Sequence, residues 1–174
     1  DQAEPLFREA LTLRREALGD RHPGTLTSIN NLGSMLQDKG DLAAAESLMR
    51  EALVAKRETL GNRKPNTLAS INNLGLLLRD KGDLVAAEPL LHETLKVYRE
   101  TLGNRHPDTL ISISNLGSLL FTKGDLAAAE LLCREAVEVQ RATLGNGHPN
   151  TLTSISNLGL LLEVKALQGR TPHR

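Results

Sequence analysis

The sequence predicts an all-α solenoid of antiparallel helix hairpins, about eight helices stacked in a right-handed superhelix. Three observations carry that expectation. The stretch from Thr67, TLASINNLGLLLRDKGD, has close copies beginning at Thr25, Thr109 and Thr151, each 42 residues from the next. A fixed period of this length marks stacked supersecondary units, none able to bury its apolar face alone. Within each copy the apolar residues recur at intervals of three and four, the spacing of one helical face. Aromatic residues make up only 2% of the chain, so the core is built from Leu, Ile, Val and Ala. Leu, Ala, Glu, Lys and Arg favour helix, whereas strands draw on aromatic and β-branched side chains.

Residues 1–18 read as the second helix of an incomplete repeat, with Leu6, Ala10, Leu11, Leu13 and Leu18 as apolar positions. Ala3 to Leu6 match Ala87 to Leu90, so the chain is expected to begin inside a repeat of a longer protein. A loop, GDRHPG, follows from Gly19. Its glycine closes one helix, its proline fixes φ at the start of the next, and the pair Gly24-Thr25 supplies an N-cap. The same capping role falls to Asn66-Thr67, Asp108-Thr109 and Asn150-Thr151.

The first helix of each repeat, helix A, carries Leu26, Ile29, Leu32, Gly33 and Leu36 on one face. It stops at Lys39-Gly40-Asp41, where Gly40 suits a left-handed conformation and Asp41 caps the second helix, helix B. Helix B is expected from Leu42 to Thr59, packing Ala45, Leu48, Met49, Ala52, Leu53 and Leu60. Small residues at Gly33 and Ala45 let the two backbones approach closely. Repeats are expected at 19–60, 61–102 and 103–144, the first two agreeing at about 27 of 42 positions. Residues 145–168 read as the first helix of a further repeat. Ala166 replaces the loop glycine there, so that helix runs on to Gln168 with Gly169 as its stop, and 169–174 form a tail.

Composition narrows the function classes. Twenty-one Lys and Arg balance 21 Asp and Glu, which leaves no net field to attract nucleic acid or an anionic membrane. No apolar run approaches the ~20 residues that span a bilayer. The charged N-terminus does not read as a signal peptide, and a cytoplasmic location is expected. Cys133 has no partner for an internal disulfide and fills the position of Met49 and Leu91, the place of a buried thiol rather than a nucleophile. His22, His106 and His148 recur in the loops, but Lys64 interrupts the series, so loop packing or capping is expected and a metal ladder is not. Asp38, Asp80, Glu46 and Glu88 read as solvated or capping carboxylates, and His92 and Tyr98 as convex-face residues. The glycines punctuate hairpins instead of cradling phosphate. No enzyme activity, cofactor or metal is expected.

Leu74, Gly75, Ala87 and Thr94, and more fully Leu32, Gly33, Ala45 and Ala52, are spaced in a pattern that resembles the tetratricopeptide repeat. The ordinary repeat has 34 residues. The longer form here, with ETLGNRHPDTL followed by SNLGSLL, is similar to the repeats of kinesin light chains and of nucleotide-binding signalling proteins. Ile71 and Leu78 stand where Trp and Tyr are frequent, and both remain large and apolar. The resemblance implies binding of a protein or peptide along a concave wall of A helices.

Asn31, Asn73, Asn115 and Asn157 are the first candidates for that wall. Asn has modest helix propensity, so its recurrence inside four helices needs a reason. Its amide both donates and accepts, which matches the backbone of an extended peptide, and in the related repeats this Asn contacts ligand backbone. The alternative is a bond to the adjacent repeat or the residue's own loop. Family geometry adds Asn30, Asn72, Ser114 and Ser156, then Ser34, Leu76, Ser118 and Leu160 one turn on, then Gln37, Arg79, Phe121 and Glu163. Phe121 is the sharpest anchor candidate, against the alternative that it packs on a neighbouring helix end. Arg79 alone makes no clamp for a partner's carboxylates. The function expected is a non-catalytic scaffold that holds a peptide segment or helix in the A-helix groove. The alternative is a self-assembly module that stacks through its open end helices.

Overall fold

The computed structural model describes residues 3–169. The first two residues and the expected tail beyond Gly169 lie outside the described residues. Those described form eight helices: α1 (Ala3–Leu18), α2 (Pro23–Asp38), α3 (Leu42–Leu60), α4 (Pro65–Asp80), α5 (Leu84–Leu102), α6 (Pro107–Lys123), α7 (Leu126–Leu144) and α8 (Pro149–Gly169). They contain no strand, and the all-α hairpin array is as the period predicts. Helix α8 does run past Ala166, one residue further than expected.

The helix starts follow expectation in the histidines, for which capping is one of two expected roles, and differ from it in the threonines. Each A helix opens on its proline, and in α2, α6 and α8 the preceding histidine is the cap. His22 Nδ1 accepts from the Gly24 N–H at 3.1 Å, His106 Nδ1 from Asp108 at 3.1 Å, and His148 Nδ1 from Asn150 at 3.2 Å. Lys64 makes no side-chain cap. The threonines expected to cap are wholly buried instead. Starting the helix at the proline places Thr25 two residues inside it, turned toward α1, where its hydroxyl donates to the Arg14 carbonyl at 3.3 Å. Thr109 donates to the Gly103 carbonyl at 2.8 Å.

The hairpin turns follow expectation. Gly40 takes φ 84°, and Asp41 accepts from the Ala44 N–H at 3.1 Å. Asp83 and Asp125 cap their helices through Ala86 and Ala128, both at 3.0 Å.

The chain divides into two compact units, one up to Leu90 and one from Leu91 on. In the first, α2 packs between α1 and α3, and α3 against α4. Leu26, Ile29 and Leu32 of α2, Ala45 and Met49 of α3, and Leu68, Ile71 and Leu74 of α4 form the core. A Cβ on Gly33 would meet Met49 Cγ at 3.2 Å and the Ala45 carbonyl at 3.6 Å. That is the close approach the small residues permit. In the second unit, α7 packs between α6 and α8 around Ile113, Leu116, Leu119, Ala129, Ala136 and Leu161. The end helices are covered on fewer sides. Leu6, Leu13 and Leu18 of α1 are exposed while Leu11 is buried, and α8 leaves Leu152, Leu160 and Leu167 exposed.

Glu46 is not the solvated carboxylate expected. It accepts from Lys81 at 2.7 Å and Arg50 at 2.9 Å, tying α3 to the turn after α4. Glu4 is held the same way by Lys39 at 2.7 Å and Arg8 at 2.8 Å, and Glu130 by Lys165 at 2.7 Å and Arg134 at 2.8 Å. The lysine hydrogen bond first, and the arginine bond second, hold each of these carboxyls below the usual range.

Candidate functional site

In the first unit the candidate residues separate into bonded and exposed sets. Asn30 Nδ2 donates to Ser70 Oγ at 3.1 Å, bridging α2 to α4. Lys56 Nζ, buried at the end of α3, donates to the same oxygen at 2.7 Å and to the Asn66 carbonyl at 3.5 Å. Burial pushes the Lys56 pKa down. Further along, Gln37 Nε2 donates to Asp80 at 3.0 Å, and Arg79 grips the same carboxylate at 2.7 and 3.0 Å. Asn30 and Gln37 therefore bridge α2 to α4, while Arg79 holds the Asp80 carboxylate from within α4. Asn31, Ser34 and Asn73 face solvent, with Asn72 and Leu76 half-buried.

The second unit carries a groove between α6 and α8 with α7 as its floor. One cavity of about 220 Å³ is lined by Ile113, Ser114, Gly117, Ser118 and Phe121 from α6, by Leu132, Cys133 and Ala136 from α7, and by Ser154, Asn157, Leu160 and Leu161 from α8. A second, about 630 Å³, lies toward the helix starts and shares Ser114, Ser154 and Asn157, adding Asn115, Gln140 and His148 among others. The cavities bring together Ser114, Asn115, Ser118, Phe121, Asn157 and Leu160 of the expected wall. Ser156 and Glu163 are exposed on α8 and line neither. Phe121 is 39% exposed and Leu160 62% exposed, so an apolar surface faces outward at the end of the first cavity.

The groove has a local chemical cause. Ser114 stands one period after Asn72 and two after Asn30, and is too short to copy Asn30's bridge. Its hydroxyl donates back to the Leu110 carbonyl of its own helix at 3.1 Å. Gln140 occupies the place of Lys56, and where Lys56 bonds to Ser70, the Gln140 Oε1 is buried without a hydrogen-bond partner.

Three sequence expectations change here. Cys133 is only half-buried and lines the first cavity, while burial raises its pKa and keeps the thiol protonated. Tyr98 is half-buried rather than fully exposed. It shares the register of Arg14, Lys56 and Gln140, and its pKa is raised by burial first and by the Asp108 charge second. Gln140, Leu132, Ser154 and Leu161 were outside the expected wall. The readable signal was a polar residue at one fixed place in each helix B: Arg14, Lys56, Tyr98 and Gln140. Arg14 bonds to Ser28 and to the Gly24 carbonyl, as Lys56 bonds to Ser70 and the Asn66 carbonyl.

The family pattern of the tetratricopeptide repeat matches residues 1–58, 27–100, 66–138 and 114–166. The chain belongs to the tetratricopeptide repeat family. Among solved structures, its fold is similar to the kinesin-light-chain TPR-like repeats of Podosopora anserina, with a TM-score of 0.87 and 25% identity over 97% of this chain and 80% of that one. It is also similar to BtubC (BKLC) of P. vanneervenii, with a TM-score of 0.80 and 20% identity over 99% of this chain and 76% of that one. No curated protein matches the sequence. Tetratricopeptide repeats generally mediate protein–protein interaction and are generally non-catalytic. Among the described residues no helix is long and apolar enough to cross a membrane.

Proposed function

We propose that this tetratricopeptide repeat protein is a non-catalytic scaffold that holds a peptide segment of a partner protein in the groove between α6 and α8. The observation that carries the reading is the single cavity lined by Ser114, Ser118, Phe121, Asn157 and Leu160, which combines apolar walls with hydroxyl and amide groups. Ligand sites are commonly concave and mostly apolar, with a few polar groups that fix orientation. Phe121 and Leu160 offer apolar contact, and the Asn157 amide offers a donor and an acceptor to an extended backbone. Within the first unit, Asn31 and Asn73 are exposed at the equivalent places of α2 and α4. A groove formed before binding leaves less ordering cost on the scaffold side.

The test uses peptides selected from a random displayed library on the whole chain, with affinities read by fluorescence polarisation. Leu160→Arg places a long cation across the apolar end of the groove and is expected to weaken selected peptides by at least about tenfold, a loss of about 1.4 kcal/mol. Peptides that bind Leu160→Arg and Asn157→Ala as well as the parent would remove the groove from consideration.

Self-assembly is a second reading, and it draws support from the apolar side chains exposed on α1 and α8. A rise in sedimentation mass with concentration is its signature, and a constant monomer mass up to high concentration excludes it.

A further inference from the structure

Gln140 is a buried amide that the fold leaves incomplete. It is 6% exposed, its Oε1 is bonded to nothing, and the side chain lines the cavity toward the starts of α6 and α8. A buried polar group without a partner is costly and uncommon in a native protein. The cost is not inherent to this place in the repeat. Lys56, in the same register, completes its bonds at Ser70 and Asn66, and Arg14 does so at Ser28 and Gly24. Gln140 is too short to repeat those bonds, while Ser114 turns its hydroxyl back to Leu110. The result is an unpaired amide at the floor of an open groove.

We infer that Gln140 is a specificity-determining residue, which rests on the groove reading above. It pairs with a neutral side chain of the bound peptide that both donates and accepts, a hydroxyl or a carboxamide. The terminal torsion of Gln is broad, so the amide turns to present either its oxygen or its NH2 edge to the groove. A partner group with both capacities satisfies either edge. A purely apolar side chain there leaves the amide unpaired, and a charged one loses hydration against a single neutral amide. Phe121 and Leu160, in the adjoining cavity, take an apolar residue further along the same peptide.

The experiment repeats the random-peptide selection on the whole chain, on Gln140→Leu and on Leu160→Arg. Peptides selected by the parent are expected to show Ser, Thr, Asn or Gln at one position, at fixed spacing from an apolar residue. Replacing that polar residue by an apolar one weakens parent binding by about tenfold, the scale of one hydrogen bond. Gln140→Leu removes the polar preference and keeps the apolar one. Because this change also deletes an unpaired buried amide, it is expected to leave the melting temperature unchanged or raised, so lost selectivity does not reflect lost folding. If Gln140→Leu and the parent select the same polar position while Leu160→Arg abolishes binding, the role of Gln140 is overturned and the groove stands. If Leu160→Arg changes nothing, or no peptide depends on the groove, both are overturned.

Discussion

At the residue scale, two exchanges between equivalent positions separate a closed wall from an open one. Asn30 reaches Ser70, and Lys56 donates to the same oxygen. Ser114 and Gln140 are shorter at the same two places, and their side chains line a cavity. The glycines show the same dependence on surroundings. Gly33 faces Met49 and the Ala45 carbonyl within 4 Å, while Gly159, its counterpart on α8, has nothing that close. Gly33→Leu is expected to destabilise by about 1–3 kcal/mol through overpacking. Gly159→Ala is expected to stabilise by about 0.5–1 kcal/mol through helix propensity. Urea denaturation of both variants gives the two signs, and a cost at Gly159 equal to that at Gly33 would count against the packing assignment.

At the element scale, helix starts are set by proline and completed by histidine. The proline at the first helical position has no N–H to leave unpaired, and the imidazole in front of it accepts from the next free N–H. Three loops have that imidazole and α4 lacks it, because Lys64 has no acceptor atom. Lys64→His is therefore expected to add a cap worth about 1 kcal/mol, in the range of side-chain N-caps, and to raise the thermal midpoint. An unchanged midpoint would mean that the bond seen at His22 contributes little. The sequence made the loop and the proline visible. It offered both the histidines and the threonines as caps, because Thr is a good cap by type, and only the helix start shows Thr turned inward and His in the capping place.

At the scale of the whole molecule, repeated carboxylates link successive hairpins within each unit. Glu4, Glu46 and Glu130 each bind an arginine on their own helix and a lysine at the next A-helix end. Their pKa values are lowered in the folded state. Such groups bind fewer protons folded than unfolded, so their contribution is full above the unfolded carboxylate value of about 4.3 and is lost as pH falls through the lower folded values. Thermal midpoints followed by circular dichroism are expected to fall over that acidic window. In the triple variant Glu4→Gln, Glu46→Gln, Glu130→Gln the fall is expected to be shallower. An identical pH profile in parent and variant would show that these pairs contribute nothing to the linkage.

The sequence by itself determined the period, the helix pairs, the glycine turns and the Asp caps of helix B, because each is set by residues within a few positions of one another. It also marked the Asn row and Phe121 as departures from pure packing needs. Tertiary structure alone decided which of those residues are spent on holding helices together. Asn30 and Gln37 are bonded to groups some 40 residues away on another helix, while Phe121, Asn157 and Leu160 meet around one cavity. Spacing places a residue on a helix face. Whether that face is bridged or open depends on the reach of side chains on a neighbouring helix, and that is a distance between elements that no local pattern contains.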